Sequence, residues 1–321
     1  MSLLQNLKRI EFYTAFICPY AHRSLIAIIE SQLQGKLPKF ASVLNSEETK
    51  PIYYNEIDLL LDEQTKEHYK RINPQGKVPA LKLVLNDDTS LVVNESLVIG
   101  EFIQETFNPN LLPQSENPIE TAFAKAQYKI WTSYFDSNFT SLFFKISFEK
   151  LTVDAVITEQ LPITHEKISF LVQNGFKPNQ KGRGDFFFGD QFSLLDGALI
   201  PFIIRFDSNL RNQYGVDLFK PLPTDNETVV ESLAIFKKWY QAVRARPSVK
   251  KSAYEPDFVP LSTTSNATRK VLVSGYEATL EEEQSGKKKE IVSATELQVD
   301  WFDYERYLTR GYELRLAKLQ K

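Results

Sequence analysis

A chain of 321 residues, 42% of them hydrophobic, is longer than one compact domain usually is and carries enough apolar mass for two cores. Its formal net charge is −3 and no stretch gathers enough Lys and Arg for an electrostatic footprint, so no nucleic-acid partner is expected. No window approaches the ~18 uncharged apolar residues of a membrane span, and residues 1–7 lack a secretion pattern; a lone cysteine, Cys18, cannot form an internal disulfide and fits the reducing cytoplasm.

Residues 9–16 alternate and are rich in β-branched and aromatic types, which predicts a strand. Residues 20–34 then carry Leu25, Ile26, Ile29 and Leu33 at helical spacing. A second strand is expected over 52–59 and a helix over 62–72. Residues 79–85 and 90–94, joined by Asn86-Asp87-Asp88, read as a hairpin, and 97–107 as a helix. The order β-α-β-α-β-β-α implies a mixed sheet flanked by helices. Residues 108–118 hold three prolines and no periodicity, the signature of a linker. Beyond it strand signals fade, and helices are expected over 120–148, 154–172, 194–206 and 228–244.

Ser193, three residues before Asp196, is expected to cap the helix that follows, and Pro201 to bend it. His22, His68 and His165 have no metal-ligand spacing, so no metal is expected and surface or capping roles are assigned to them. From about residue 257 the composition turns polar, with opposite charge runs at 281–283 and 287–289, and reads as a mobile loop. Leu297, Trp301, Tyr304, Leu308, Tyr312, Leu316 and Leu319 then repeat at three- and four-residue steps, as in an amphipathic helix.

Cys18 sits between the first strand and the first helix, where unpaired N–H groups and the helix dipole stabilise a thiolate. Pro19 suits the first helical position because it has no N–H to leave unpaired. A small buried hydrophobe is the plainer reading of one cysteine. A dithiol redox site would need a second cysteine at position 21, which holds Ala21, so a mixed disulfide on Cys18 must be resolved by an external thiol.

Four further stretches accompany it: Gly76-Lys77-Val78-Pro79-Ala80-Leu81, Glu95-Ser96 at a helix start, and the late segments 189–203 and 239–249. In this order and spacing they resemble the cytosolic glutathione transferases, in particular a divergent, fungal-type member of the omega-like, cysteine-type class with a long C-terminal tail. The resemblance covers about residues 9 to 250. It implies a thioredoxin-like glutathione-binding domain with a mixed four-stranded sheet (9–107), a linker (108–118), an all-α C-terminal domain (119–256) and an extended tail (257–321).

The resemblance also implies roles. Cys18 is catalytic, and glutathione is a co-substrate rather than a permanently bound cofactor. Pro19, Tyr20, Lys77, Val78, Pro79, Glu95 and Ser96 bind glutathione. The family's proline matching Pro79 is cis, and the backbone of the preceding residue, here Val78, pairs with the cysteinyl part of the ligand as an added strand. Glu95 matches the carboxylate that takes the γ-glutamyl ammonium, and Ser96 lies with the helix-start N–H groups that take the carboxylate.

Tyr128, Trp131 and Phe135 are candidates for an acceptor pocket. The expected activity is thiol transfer from small-molecule or protein mixed disulfides, with dehydroascorbate reduction as a further outlet, in a cytoplasmic homodimer. Three alternatives stand beside it: a non-catalytic interaction module, a glutathionyl-hydroquinone reductase, and a conjugating transferase using Tyr13, Tyr20 or a serine.

Three departures accompany the match. Omega-like members carry a lysine after the second strand for the glycyl carboxylate, and here Leu59 or Leu60 falls there, with Lys77 as the substitute candidate. The stretch 35–51 and the tail are both longer than the family's.

Overall fold

A computed structural model describes residues 6–15, 18–40, 50–57, 59, 62–149 and 151–252 of the chain. They form two compact units, the first running to Phe102 and the second beginning at Ile103.

The first unit is built on a four-stranded sheet in the order β2-β1-β3-β4. Strand β1 (Leu7–Thr14) pairs parallel with β2 (Ile52–Glu56), with Ile10 opposite Ile52. On its other side β1 pairs antiparallel with β3 (Ala80–Leu85), with Phe12 opposite Leu81, and β3 pairs antiparallel with β4 (Ser90–Asn94). The parallel pair requires a crossover, which α1 (Pro19–Leu33) supplies; the antiparallel pair needs only a tight turn at residues 86–89. The expected mixed sheet is therefore present. In β1, Ile10, Phe12 and Thr14 point into the interior while Arg9, Glu11 and Tyr13 face the other way, the period of two that the sequence showed.

Local differences from the sequence reading have physical causes. Strand β2 stops at Glu56, three residues short of the expected end. The helix expected over 62–72 is reduced to a 3₁₀ turn (Glu63–Thr65) and a four-residue α2 (Glu67–Lys70), because Lys66 between them is extended, with φ −74° and ψ 152°. Helix α3 (Ser96–Thr106) follows β4. Phe40, at the start of the long 35–51 stretch, bridges to Ile52 and is buried, so that stretch extends the sheet edge before leaving the described residues.

The second unit is helical. Residues 108–118 are more than a linker: Leu111 and Leu112 are each 1% exposed, so the segment packs into the core through the 3₁₀ turn Pro109–Leu111. The helix expected over 120–148 is two helices, α4 (Pro118–Asn138) and α5 (Thr140–Phe148), divided at Phe139, whose ring stacks on Phe135 at 4.8 Å. Apolar spacing runs unbroken through that division, which is why the pattern alone hides it.

The next helical run, 153–180, joins α6 (Val153–Ala155), α7 (Leu161–Leu171) and α8 (Lys177–Gln180) through two π-helical turns, Val156–Gln160 and Val172–Phe176. Helices α9 (Leu194–Tyr214), α10 (Glu227–Ala245) and α11 (Pro247–Ser252) complete the unit. Helix α9 runs on past Pro201 to Tyr214, eight residues beyond the expected end.

Ser193 and Asp196 form the expected capping box. Asp196 does more than cap. Its Oδ2 accepts from the Ser193 N–H at 2.8 Å and hydroxyl at 2.7 Å, and its Oδ1 from the Phe187 N–H at 2.8 Å and the Trp239 indole at 2.7 Å. One fully buried carboxylate thus ties α9, α10 and the loop before α9 together.

Two of the three histidines correct the surface assignment. His22 is 4% exposed and His165 fully buried, with its ring nitrogens at 2.8 Å from Asp225 Oδ2 and 3.0 Å from the Leu218 carbonyl. Only His68 is at the surface, beside Glu63. The tail helix expected over 297–319 lies outside the described residues.

Candidate active site

The first unit carries a cleft of about 500 Å³ that brings together Cys18, Tyr20, Lys77, Val78, Pro79, Glu95 and Ser96. Three segments from distant parts of the chain supply them, so the cleft exists only once the sheet has assembled. Pro19, between two cleft residues, is buried beneath it as the first residue of α1.

Cys18 is the N-cap of α1, in extended conformation with φ −83° and ψ 117°. Its carbonyl accepts the first helical bond from the His22 N–H at 3.1 Å, and its own N–H donates to Ala15 at 2.9 Å. The thiol, half-buried, therefore stands over the positive end of a fifteen-residue helix, the setting that favours an anion. Tyr20 lies under the buried Arg23, whose guanidinium is 5.3 Å from its ring centre. Ala21 is fully buried, and Cys18 is the sole cysteine of the chain.

The opposite wall is backbone. The Val78–Pro79 peptide bond is cis. Val78 lies just outside the β3–β4 ladder, which begins at the Ala80–Asn94 pair, and its N–H and carbonyl have no hydrogen-bond partner among the described residues. An unpaired backbone donor and acceptor beside a strand start can pair with an added extended segment. The Lys77 carbonyl, by contrast, accepts from the Tyr69 hydroxyl at 2.6 Å and from the Asn73 side-chain amide at 2.7 Å. Gly76 turns the chain into this segment at φ +62°, where a β-carbon would lie 2.9 Å from the Gln64 carbonyl oxygen.

The third wall is the start of α3. Glu95 precedes it with φ +70°, a left-handed conformation that costs a residue with a side chain about 1–2 kcal/mol and is retained where the surroundings demand it. Its carboxylate is exposed and has no ion pair among the described residues. Ser96 is 6% exposed; its carbonyl is held by the Ser24 hydroxyl at 3.2 Å, while its own hydroxyl has no partner among the described residues. A helix start, a free hydroxyl and a free carboxylate side by side can bind a group carrying both a negative and a positive charge.

Leu59 lines the cleft where the resemblance calls for a lysine, and Lys77 is the one cation among the cleft residues. Gln64 and Asn73 escaped the sequence reading as cleft residues. Asn73 lies three residues before the Gly76-to-Leu81 stretch, and nothing in the sequence signalled its contact with Lys77.

Two sets of expectations are corrected. Tyr128, Trp131 and Phe135 are 1%, 7% and 0% exposed, packed within the helical unit's own core. The Trp131 indole donates to Gln127 at 2.9 Å, and side chains this buried leave little surface for an acceptor. Tyr13 cannot activate a thiol: its hydroxyl donates to Glu11 at 2.8 Å, and burial together with that carboxylate pushes its ionisation well above the usual phenol range. Among the described residues no cluster of His, Cys, Asp and Glu could hold a metal ion, and no helix is long and apolar enough to cross a membrane.

Fold and cleft together define a thioredoxin-like α/β unit with a monothiol at a helix start, followed by a helical unit. The comparisons agree. Residues 17–106 match the glutathione S-transferase N-terminal domain and residues 154–242 the glutathione S-transferase C-terminal domain, together more than half of the chain. The chain belongs to the glutathione S-transferase family.

It is 27% identical over 220 residues to the rice protein IN2-1 homolog B, covering 68% of this chain and 74% of that protein. It is also 27% identical over 212 residues to Arabidopsis thaliana glutathione S-transferase L3, covering 66% and 72%. Among solved structures, glutathione transferase Omega 1C from Trametes versicolor aligns with a TM-score of 0.52 at 25% identity, covering 78% of this chain and 93% of that one.

Proposed function

We propose that this family member is a glutathione-dependent thiol transferase acting through a Cys18–glutathione mixed disulfide. The observation that carries the reading is that Cys18, at the head of α1, shares one cleft with the unpaired backbone of Val78 and with Glu95 and Ser96. Glutathione would lie with its γ-glutamyl ammonium on Glu95 and its γ-glutamyl carboxylate on Ser96 and the α3 N–H groups. Its cysteinyl backbone would pair with Val78, and its glycyl carboxylate would meet Lys77, the cation left after lysine is replaced by Leu59. Pro19 and Tyr20 would shape the floor beside the sulfur.

In the reaction the Cys18 thiolate attacks the glutathione sulfur of a mixed disulfide. The new S–S bond forms as the old one breaks, and the other half leaves as a thiolate that takes a proton from water. A second glutathione thiolate then attacks the Cys18-bound glutathione, releasing glutathione disulfide and restoring Cys18. With Ala21 where a resolving thiol would stand, this second step has no internal competitor. A stabilised thiolate is a better leaving group than nucleophile, which suits release and argues against conjugation to weak electrophiles. The lone thiol keeps this cycle in a reducing, cytoplasmic setting, and a homodimer remains the expected assembly.

The test is Cys18→Ser, assayed on a glutathionylated peptide and on a conjugation substrate, with glutathione binding measured by calorimetry. Turnover of the mixed disulfide should vanish while binding persists. Full turnover in the variant would sink the assignment, and preference for the conjugation substrate in the unmodified protein would redirect it.

A further inference from the structure

Helix α2 has only four residues, too few to be held by its own hydrogen bonds, yet Tyr69 within it is fully buried. Its ring centre lies 5.9 Å from that of Tyr13, and its hydroxyl donates to the Lys77 carbonyl at 2.6 Å. Asn73, 2% exposed, donates to the same oxygen at 2.7 Å and accepts the Gln75 N–H at 3.1 Å. A carbonyl has two lone pairs, so this one is saturated, and its direction is set by two buried side chains.

The Lys77 carbonyl and the Val78 N–H belong to one peptide group, and that group is planar with the two bonds pointing opposite ways. Aiming the carbonyl at Tyr69 and Asn73 therefore aims the Val78 N–H away from them. Donors on the carbonyl also polarise the peptide and strengthen its N–H as a donor.

We propose that Tyr69 and Asn73 are positioning residues that orient and strengthen the Val78 N–H for recognition of the ligand's extended backbone. The role rests on the thiol transferase reading above, in which that N–H meets the cysteinyl part of glutathione. Tyr69 stays a donor throughout: burial pushes its phenol well above the usual range, and the charge of Cys18 adds to the shift against the Asn73 bond. Without the clamp the Lys77–Val78 peptide would sample other orientations, and apparent affinity would fall by the fraction of time it spends in them.

The test compares Tyr69→Phe, Asn73→Ala and the double variant with the unmodified protein. Tyr69→Phe keeps the ring and removes only the donor, so the fold should persist. The KM for glutathione should rise about ten-fold in each single variant and further in the double, with kcat within about two-fold. Hydrogen exchange at the Val78 amide should quicken, and the pH midpoint of Cys18 alkylation by iodoacetamide should stay in place.

An unchanged KM in the double variant, with normal kinetics in the unmodified protein, would overturn the positioning role alone. So would a moved alkylation midpoint at unchanged KM, since the hydroxyl would then serve the thiol. An unmodified protein without saturable glutathione dependence would overturn the thiol transferase reading and, with it, this role.

Discussion

Gly76→Ala, set beside Gly35→Ala, separates two ways in which a glycine can be required. Both glycines have positive φ, +62° and +67°, so an added methyl group is strained at either position by about 1–2 kcal/mol, partly offset by a stiffer unfolded chain. They differ in surroundings. A Cβ on Gly35 meets nothing within 4 Å, whereas on Gly76 it lies 2.9 Å from the backbone carbonyl oxygen of Gln64. That oxygen is main chain, so it cannot swing aside. Relief of such overpacking by backbone shift costs about 1–3 kcal/mol.

Urea unfolding should therefore show Gly35→Ala destabilised by about 1 kcal/mol and Gly76→Ala by about 1–3 kcal/mol more. Because Gly76 leads directly into Lys77 and Val78, its variant should also raise the KM for glutathione while Gly35→Ala leaves it alone. Equal losses of stability in the two variants, within about 0.5 kcal/mol, would refute the contact with Gln64 as the reason glycine stands at 76.

Two carboxylates make opposite contributions to the pH dependence of stability. Burial pushes the Glu11 carboxyl up, but hydrogen bonds from Tyr13, Arg9 and Lys82 outweigh it and hold it below its ordinary 4.5. Its stabilisation is whole above that value and is lost as the pH falls through the lowered folded value; Glu11→Gln should flatten the acid limb of a urea-midpoint profile, and an unchanged limb would refute the assignment. Burial pushes Asp196 above its ordinary 3.8 against the pull of its donors, so its contribution is whole below 3.8 and declines as the pH rises through the raised value. Asp196→Asn should remove that decline, and Asp196→Ala, which strands four buried donors, should cost about 3 kcal/mol or more in the same assay.

Much of the fold was legible because it rests on local rules. Alternation marked β1, the spacing of Leu25, Ile26, Ile29 and Leu33 marked α1, the Asn86-Asp87-Asp88 turn marked the hairpin, and Ser193 with Asp196 marked the start of α9. Where the pattern misled, competing interactions had decided. Residues 62–72 carried helical spacing but broke at Lys66, where Tyr69 and Asn73 turn back to hold Lys77. The aromatics of α4 had the chemistry of a pocket wall, but Tyr128, Trp131 and Phe135 were needed for the helical core.

The sequence by itself determined a lone thiol and the segments that accompany it: a cysteine at a helix start, no second cysteine, and the Val78-Pro79 and Glu95-Ser96 pairs. Helix caps, turn residues and apolar periods act over a few residues, so they can be read from a few residues. Only the tertiary structure decided that these segments line one cleft, that Glu95 sits in a left-handed conformation and that Tyr69 and Asn73 aim a backbone carbonyl. The cleft joins segments distant in the chain, brought side by side when β1 takes its place between β2 and β3, whereas the clamp on Lys77 spans only four to eight residues. The direction of the Lys77 carbonyl, and hence of the Val78 N–H, is set by side chains only four and eight residues away, through the irregular turn after α2 that no apolar period marks.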